Sequence, residues 1–286
     1  ALEHSAMVTW KGWNAVAHSR REGPVCVAFT ILELLAVVAI IGLLAAMVLP
    51  ALHRAQAKAH GVSCLNNLKQ LQMGWQMYVD DHGGKVPLNY ADLSTGVWRS
   101  SSNSWAGPSS APFDPDDSAI RQSSLFRLGY VQSPATFVCP GDDATVSRRD
   151  GKSAGLPRSR SYAMNGNFGG RGQEAQLVFW RENLSYDPTK VFVFIDEHED
   201  SIDDAHFLTW PNPDDRWVNL PAGRHNRSGT LSFADGHAEN WKWNWRKQFS
   251  KKESYWKRAE NAEDLADLRR LQEHILQVSG DYRPQP

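Results

Sequence analysis

From Leu34 to Leu49 the chain carries no charged or hydrogen-bonding side chain, and the apolar character reaches back to Val25 with only Thr30 and Glu33 interrupting it. At about 1.5 Å of rise per residue, a helix of this length approaches the roughly 30 Å hydrocarbon core of a bilayer. Of all the segments it is the one suited to lipid. Glu33 is the exception within it. A carboxylate in a lipid helix is costly unless paired, and so marks a functional position by default. In the first turn at the membrane interface, the helix dipole would favour it instead.

Pro50 interrupts the apolar pattern, and in a membrane setting a proline kinks a helix more often than it ends it. Beyond it, Leu52, Ala55, Ala59, Val62, Leu65, Leu68, Leu71, Trp75 and Tyr78 recur every three or four residues, which predicts an amphipathic continuation, with Lys58 and Lys69 on its wetter side. Gly83-Gly84 marks its end.

The remainder reads as short strands and loops. Residues 82–120 are irregular, with a short strand near Gly96 to Arg99. Leu125 to Tyr130 forms a helical turn, Phe137 to Pro140 an edge strand, and residues 141–160 an exposed basic loop. Leu177 to Trp180 and Val191 to Ile195 are strand-like, and residues 207–210 and 216–220 add further strands. Thr230 to Ala234 leads through the turn signal Asp235-Gly236 into a returning strand, His237 to Trp241. Residues 246–286 are charge-rich, with Leu265, Leu268, Leu271, Ile275 and Val278 at helical spacing. The expected class is α+β: one long N-terminal helix packed across an antiparallel sheet, and a terminal amphipathic helix.

The run from Phe29 to Gly42, FTILELLAVVAIIG, resembles the N-terminal cleavage and methylation region of type IV prepilins and type II secretion pseudopilins. Ser63 to Gln70 and Phe233 to His237 resemble segments of pseudopilin-like proteins of planctomycete and verrucomicrobial bacteria. The resemblance implies a leader over 1–28, cut between Ala28 and Phe29, although the family normally has Gly where this chain has Ala28. The helix would then cover 29–81, spanning the membrane in 29–50, with a head over 82–245 and a terminal segment over 246–286. It also implies methylation of Phe29 and pairing of Glu33 with the N-terminus of a neighbouring subunit. The implied partners are a prepilin peptidase, other pilin or pseudopilin subunits and the inner membrane, with the head in the periplasm or in an extracellular filament. The function so implied is a structural subunit of a pilus or secretion filament. The alternative is a membrane-tethered periplasmic metal- or ligand-binding module, with a metal-dependent hydrolase as its less favoured form.

On this organisation Cys26 falls in the leader. Cys64 and Cys139 remain, either as a disulfide, which persists outside the cytoplasm, or as two buried thiols. Acidic and basic residues nearly cancel, to a formal net charge of −1, and are interspersed, which argues against a nucleic-acid partner. The densest polar cluster is Asp196, Glu197, His198, Glu199, Asp200, Asp203, Asp204 and His206, followed by His225, Asp235 and His237. Oxygen-rich groups at strand ends suit calcium, and the resemblance extends that idea, because some secretion pseudopilins bind calcium in a C-terminal loop. Histidine with carboxylate suits zinc or another divalent metal. The other reading is a loop-fixing network of Asp196, Arg224, His225 and Asp235. No EF-hand, HExxH, GxSxG, P-loop or dinucleotide fingerprint occurs, no catalytic residue is assigned, and no enzymatic activity is expected.

Overall fold

The computed structural model describes residues 30–92, 98–148, 151–169, 186–248 and 256–275. Ala28, Phe29, the expected strand over Leu177 to Trp180 and Val278 lie outside them. The chain forms two units, residues 1–49 and 50–286.

Helix α1 (Ile31–Asp81) runs through Pro50 without ending. Within the first unit its residues from 31 onward are exposed on every side, and α1 is, among the described residues, the one helix long and apolar enough to cross a membrane. Thr30 and Glu33 close its start reciprocally. The Glu33 carboxylate accepts from Thr30 N and Oγ1, both at 2.9 Å, and Glu33 N donates to Thr30 Oγ1 at 3.2 Å.

In the second unit the rest of α1 is followed by β1 (Ala91–Asp92), β2 (Arg99–Ser100), α2 (Ser118–Arg121), α3 (Ser124–Arg127) and a 3-10 turn at Pro134–Phe137. Then come β3 (Thr145–Ser147), β4 (Ser153–Pro157), β5 (Tyr162–Asn165), β6 (Phe192–Asp196), β7 (His206–Phe207) and β8 (Arg216–Trp217). Last are β9 (Ser228–Phe233), β10 (Ala238–Lys242), β11 (Lys257–Arg258) and α4 (Ala262–Gln272). The central sheet has the order β10-β9-β6-β5-β7. It is mixed rather than purely antiparallel: after β6 the chain crosses to the far edge of β5, so β7 runs parallel to β5. Phe137 to Pro140 is not a strand. Ser133 caps Ala135 N, and Pro134 starts a tight turn that leaves Val138 extended but outside any strand. The expected loop over 141–160 contains the β3–β4 hairpin.

The sheet lies between two helices. On one face Cys64, Leu68, Leu71, Trp75 and Val79 of α1 pack with Tyr162, Met164, Val193 and Phe194. On the other, Leu268, Leu271 and Ile275 pack with Phe192, Ile195, Leu231, Phe233, Trp241 and Trp243. The buried line of α1 begins at Gly61, so Leu52 and Val62 of the expected stripe remain exposed.

A bulge in β6 decides which face receives the chemistry. Phe192 pairs with Phe233, but Phe194 pairs with Ser232, so Val193 is one residue extra. Strict alternation from Phe192 would turn Phe194 and Asp196 toward α4. The extra residue inverts the phase: Ile195 faces α4, and Asp196 faces α1.

Candidate metal centre

Cys64 of α1, Cys139 after the 3-10 turn, Asp196 at the end of β6 and His225 before β9 each offer one donor atom, and the four atoms lie within 4.8 Å of one another. The Cys139 Sγ to His225 Nε2 distance is 3.2 Å, Cys64 Sγ to Asp196 Oδ2 is 3.7 Å and His225 Nε2 to Asp196 Oδ2 is 3.8 Å. Ligands on a tetrahedral zinc, with bonds of about 2.0–2.3 Å, stand roughly 3.3–3.8 Å apart. These three separations are therefore already near the spacing one ion would impose.

Each donor is held by its surroundings. Arg224 Nη1 donates to Asp196 Oδ1 and, at 2.8 Å, to the Glu197 carbonyl, while its Nη2 reaches Asp142 at 3.3 Å and Glu199 at 3.2 Å. That leaves Asp196 Oδ2 turned toward the thiols. Tyr162 Oη donates to Cys64 Sγ at 3.3 Å. Ser161 Oγ accepts from Cys139 N at 3.0 Å and donates to Asp142 at 2.7 Å, tying the Cys139 loop to the arginine's partners. After His225, Asn226 and Arg227 take left-handed backbone angles, φ 55° and 64°, a costly pair for residues with a Cβ and one that sets the loop presenting the imidazole. The Ala57 backbone of α1 interacts with the His225 imidazole, whose Nδ1 is buried without a well-aligned hydrogen bond.

Burial dominates the electrostatics. It pushes Asp196 up to about 7 despite Arg224, and pulls His225 down to about 4. The Cys139 thiol is raised, first by its hydrogen bond with Cys64 and then by burial, and burial raises the Tyr162 phenol. Burial also works against the Arg224 guanidinium, but Asp196, Asp142 and Glu199 outweigh it and hold the group firmly charged. In the absence of a cation these environments favour protonated sulfur and oxygen and neutral imidazole. A divalent ion reverses the preference for the acids and accepts the imidazole as it stands. Two sulfurs, one nitrogen and one oxygen suit a thiophilic or borderline metal. Calcium, which takes six to eight oxygens, is not suited.

The remaining sequence candidates fall elsewhere. Glu197 is buried and held well above the usual carboxylate range by burial, with Oε1 accepting from Ser201 and Asn219 at 2.9 and 2.7 Å. His198 Nδ1 accepts from Asp200 N at 3.1 Å, and the Asp200 side chain is exposed. Asp235 pairs with His237 at 2.6 Å in the β9–β10 turn and lines a separate cavity of about 250 Å³ with Trp75, Gln76 and Tyr186. Of the expected network, Asp196, Arg224 and His225 meet, whereas Asp235 belongs to that turn. Cys64 and Cys139 do come together, as free thiols, and join two of the metal candidates. The sequence signals for a cysteine pair and for a polar cluster therefore describe parts of one site. No known family, curated protein or solved structure matches the chain.

Proposed function

We propose that the chain is a membrane-tethered module whose head, outside the cytoplasm, holds a thiophilic divalent ion, zinc, through Cys64, Cys139, Asp196 and His225. The observation that carries this reading is the convergence of four donors from four separate chain segments, with Asp196 and Cys64 oriented by Arg224 and Tyr162, which are not themselves ligands. All four side chains are buried, and four protein ligands complete a tetrahedron. Such a centre is structural: it fastens the Cys64 turn of α1 to β6 and to the loops carrying Cys139 and His225, and no catalytic step is assigned to it. The α1 segment before Pro50 supplies the tether. The test is metal content. Purified in detergent, the full chain should carry one zinc, and Cys139→Ser and His225→Ala should carry almost none. A wild-type chain without zinc, or variants that retain it, would remove this reading.

Filament assembly is the second reading, favoured by the wholly exposed apolar surface of residues 31–49 and by Ala36, Ala39, Gly42, Ala45 and Ala46, which permit close helix approach. In this reading a prepilin peptidase cuts before Phe29, and Glu33 exchanges its bond to Thr30 for a neighbour's amino terminus. Intact mass after co-expression with a prepilin peptidase tests it: a methylated chain beginning at Phe29 supports processing, and an uncut chain removes it.

A further inference from the structure

Four buried ligands hold an ion well but leave it no obvious way in. Cys64, Cys139 and Asp196 are 0% exposed and His225 is 5% exposed. The neighbourhood contains one more borderline-metal donor, His60, half-buried and one helical turn before Cys64, so that both side chains rise from the same strip of α1. Opposite this strip runs the Cys139-Pro140-Gly141 loop. A Cβ built on Gly141 would stand 3.1 Å from His225 Cε1 and 3.5 Å from His60 Nδ1. Both rings therefore flank Gly141, and the missing side chain leaves them uncrowded there. Gly141 does not adopt the left-handed backbone angle that would call for glycine, so space is the feature the residue provides there. Gly61 acts likewise from the helix side, where a Cβ would lie 3.3 Å from His225 Cβ.

We propose that His60 is a relay ligand, and that metal reaches and leaves the centre through the opening between His60, Gly141 and His225. This rests on the metal-binding reading above. A hydrated divalent ion is first taken by the His60 imidazole at the half-exposed rim, then by His225, whose Nε2 already faces Cys139. The two thiols then bind it as thiolates and Asp196 as a carboxylate. Each Cys S–H, and the Asp196 carboxyl where it is protonated, loses its proton to water as its bond to the metal forms, so one ion in releases two thiol protons and any proton on Asp196, with no change of oxidation state. Departure is the reverse, and His60 is not part of the final coordination shell.

The probe is cobalt(II) added to the metal-free full chain in detergent, followed by the thiolate-to-cobalt charge-transfer band in stopped flow, with removal by excess chelator measured the same way. His60→Ala should slow both uptake and removal by roughly tenfold or more, while final band intensity and stoichiometry stay at the wild-type level. His60→Cys, which restores a thiophilic donor at the rim, should recover much of the rate. Gly141→Ala should slow both directions while leaving His60 in place. The inference is overturned if His60→Ala loads and unloads at wild-type rates, or if it lowers the final stoichiometry, which would make His60 a ligand or a structural residue. A wild-type chain that never develops the cobalt band overturns the metal-binding reading itself, a result distinct from any change in rate.

Discussion

Two buried charge clusters flank the same sheet and are closed in different ways. On the α4 side, Lys247 is almost wholly buried and donates to Asp264 at 2.6 Å and Asp267 at 2.7 Å, with its ammonium 4.8 Å from the Trp217 ring centre and 5.5 Å from that of Trp243. This cluster contains its own cation. On the α1 side, Arg224 binds the outer oxygen of Asp196 and leaves the inner oxygen, two sulfurs and an imidazole nitrogen converging. An ammonium held by two carboxylates and two aromatic faces is a finished ion pair. Two sulfurs, an imidazole nitrogen and a carboxylate oxygen without a central side-chain cation make a binding site. The contrast explains why burial alone does not mark function: both clusters are buried, and the donor chemistry separates them.

The sharpest test of the self-closed cluster is to remove its cation. Lys247→Met keeps much of the stem but leaves Asp264 and Asp267 buried without their ammonium, and should cost about 3–5 kcal/mol in urea unfolding of the head. Because Lys247 brings the chain before α4 onto that helix, protection of the α4 amides in hydrogen exchange should fall with it. A loss below about 1 kcal/mol would mean that the tryptophan faces and the helix N-terminus carry the cluster, and the proposed difference between the two sites would weaken.

The other cluster should respond to metal instead. Zinc at a hundred times its dissociation constant should raise the unfolding free energy by about 2.7 kcal/mol. Cys139→Ser should abolish that increment, and in the Lys247→Met chain zinc should still add its full amount, because the two clusters share no partner. If zinc stabilises the wild type and Cys139→Ser equally, the ion binds elsewhere and the comparison fails.

Much of the architecture could be read from the residues, because long-period signals survive local irregularity. The apolar run, the helical spacing up to Tyr78, the β-rich Val191 to Ile195 and the Asp235-Gly236 turn each depend on many residues or on strong turn chemistry, and Gly236 indeed sits at φ 103°. Facing and pairing were less legible. Val191 to Ile195 is apolar throughout, so no alternation discloses the bulge at Val193 that turns Asp196 toward α1. The exposed Leu52 and Val62 show a similar limit: periodicity gives a helix, but the residue at which it first meets the sheet depends on Gly61 and the approach of His225. Linear spacing offers the cysteines as a pair and Asp196 and His225 as members of a polar cluster, and nothing in it brings residues 64, 139, 196 and 225 together. Arg224, Tyr162 and Ser161 acquire their supporting roles only once the strands are assembled.

Protons offer an intermediate test of the convergent cluster. Asp196, raised to about 7, binds a proton in the folded chain that the unfolded chain releases near 4, so its contribution lowers stability as pH rises through that window. His225, lowered to about 4, does the opposite: the unfolded imidazole is protonated below about 6.5 while the folded one stays neutral, so stability rises with pH. With chelator present the two oppose each other between pH 5 and 6. Asp196→Asn removes the falling contribution, so across that unit the change in its unfolding free energy should be more positive than the wild type's by up to about 1.4 kcal/mol, whatever Glu197 and the other buried acids add to both chains. Urea melts of both chains at the two pH values decide it, and equal slopes would show that Asp196 does not hold its proton in the folded chain.

The smallest effect tests what enclosure adds to a cation near an aromatic ring. The Arg270 guanidinium lies 3.9 Å from the Trp241 ring centre, closer than Lys247 lies to either of its tryptophans, yet Arg270 is exposed. If proximity to the ring governed stability, Arg270→Gln would cost more than Lys247→Met. Water already solvates an exposed guanidinium, so the ring's attraction competes with hydration, and the loss should be only about 0.5–1 kcal/mol in the same urea melts. A loss approaching that of Lys247→Met would mean that the aromatic faces, rather than the two buried carboxylates, make the Lys247 cluster strong. A small loss identifies the desolvated carboxylates as the feature that needs a cation. Of the desolvated carboxylates on Arg224, Asp142 and Asp196, it is Asp196 whose second oxygen is turned toward two thiols and an imidazole.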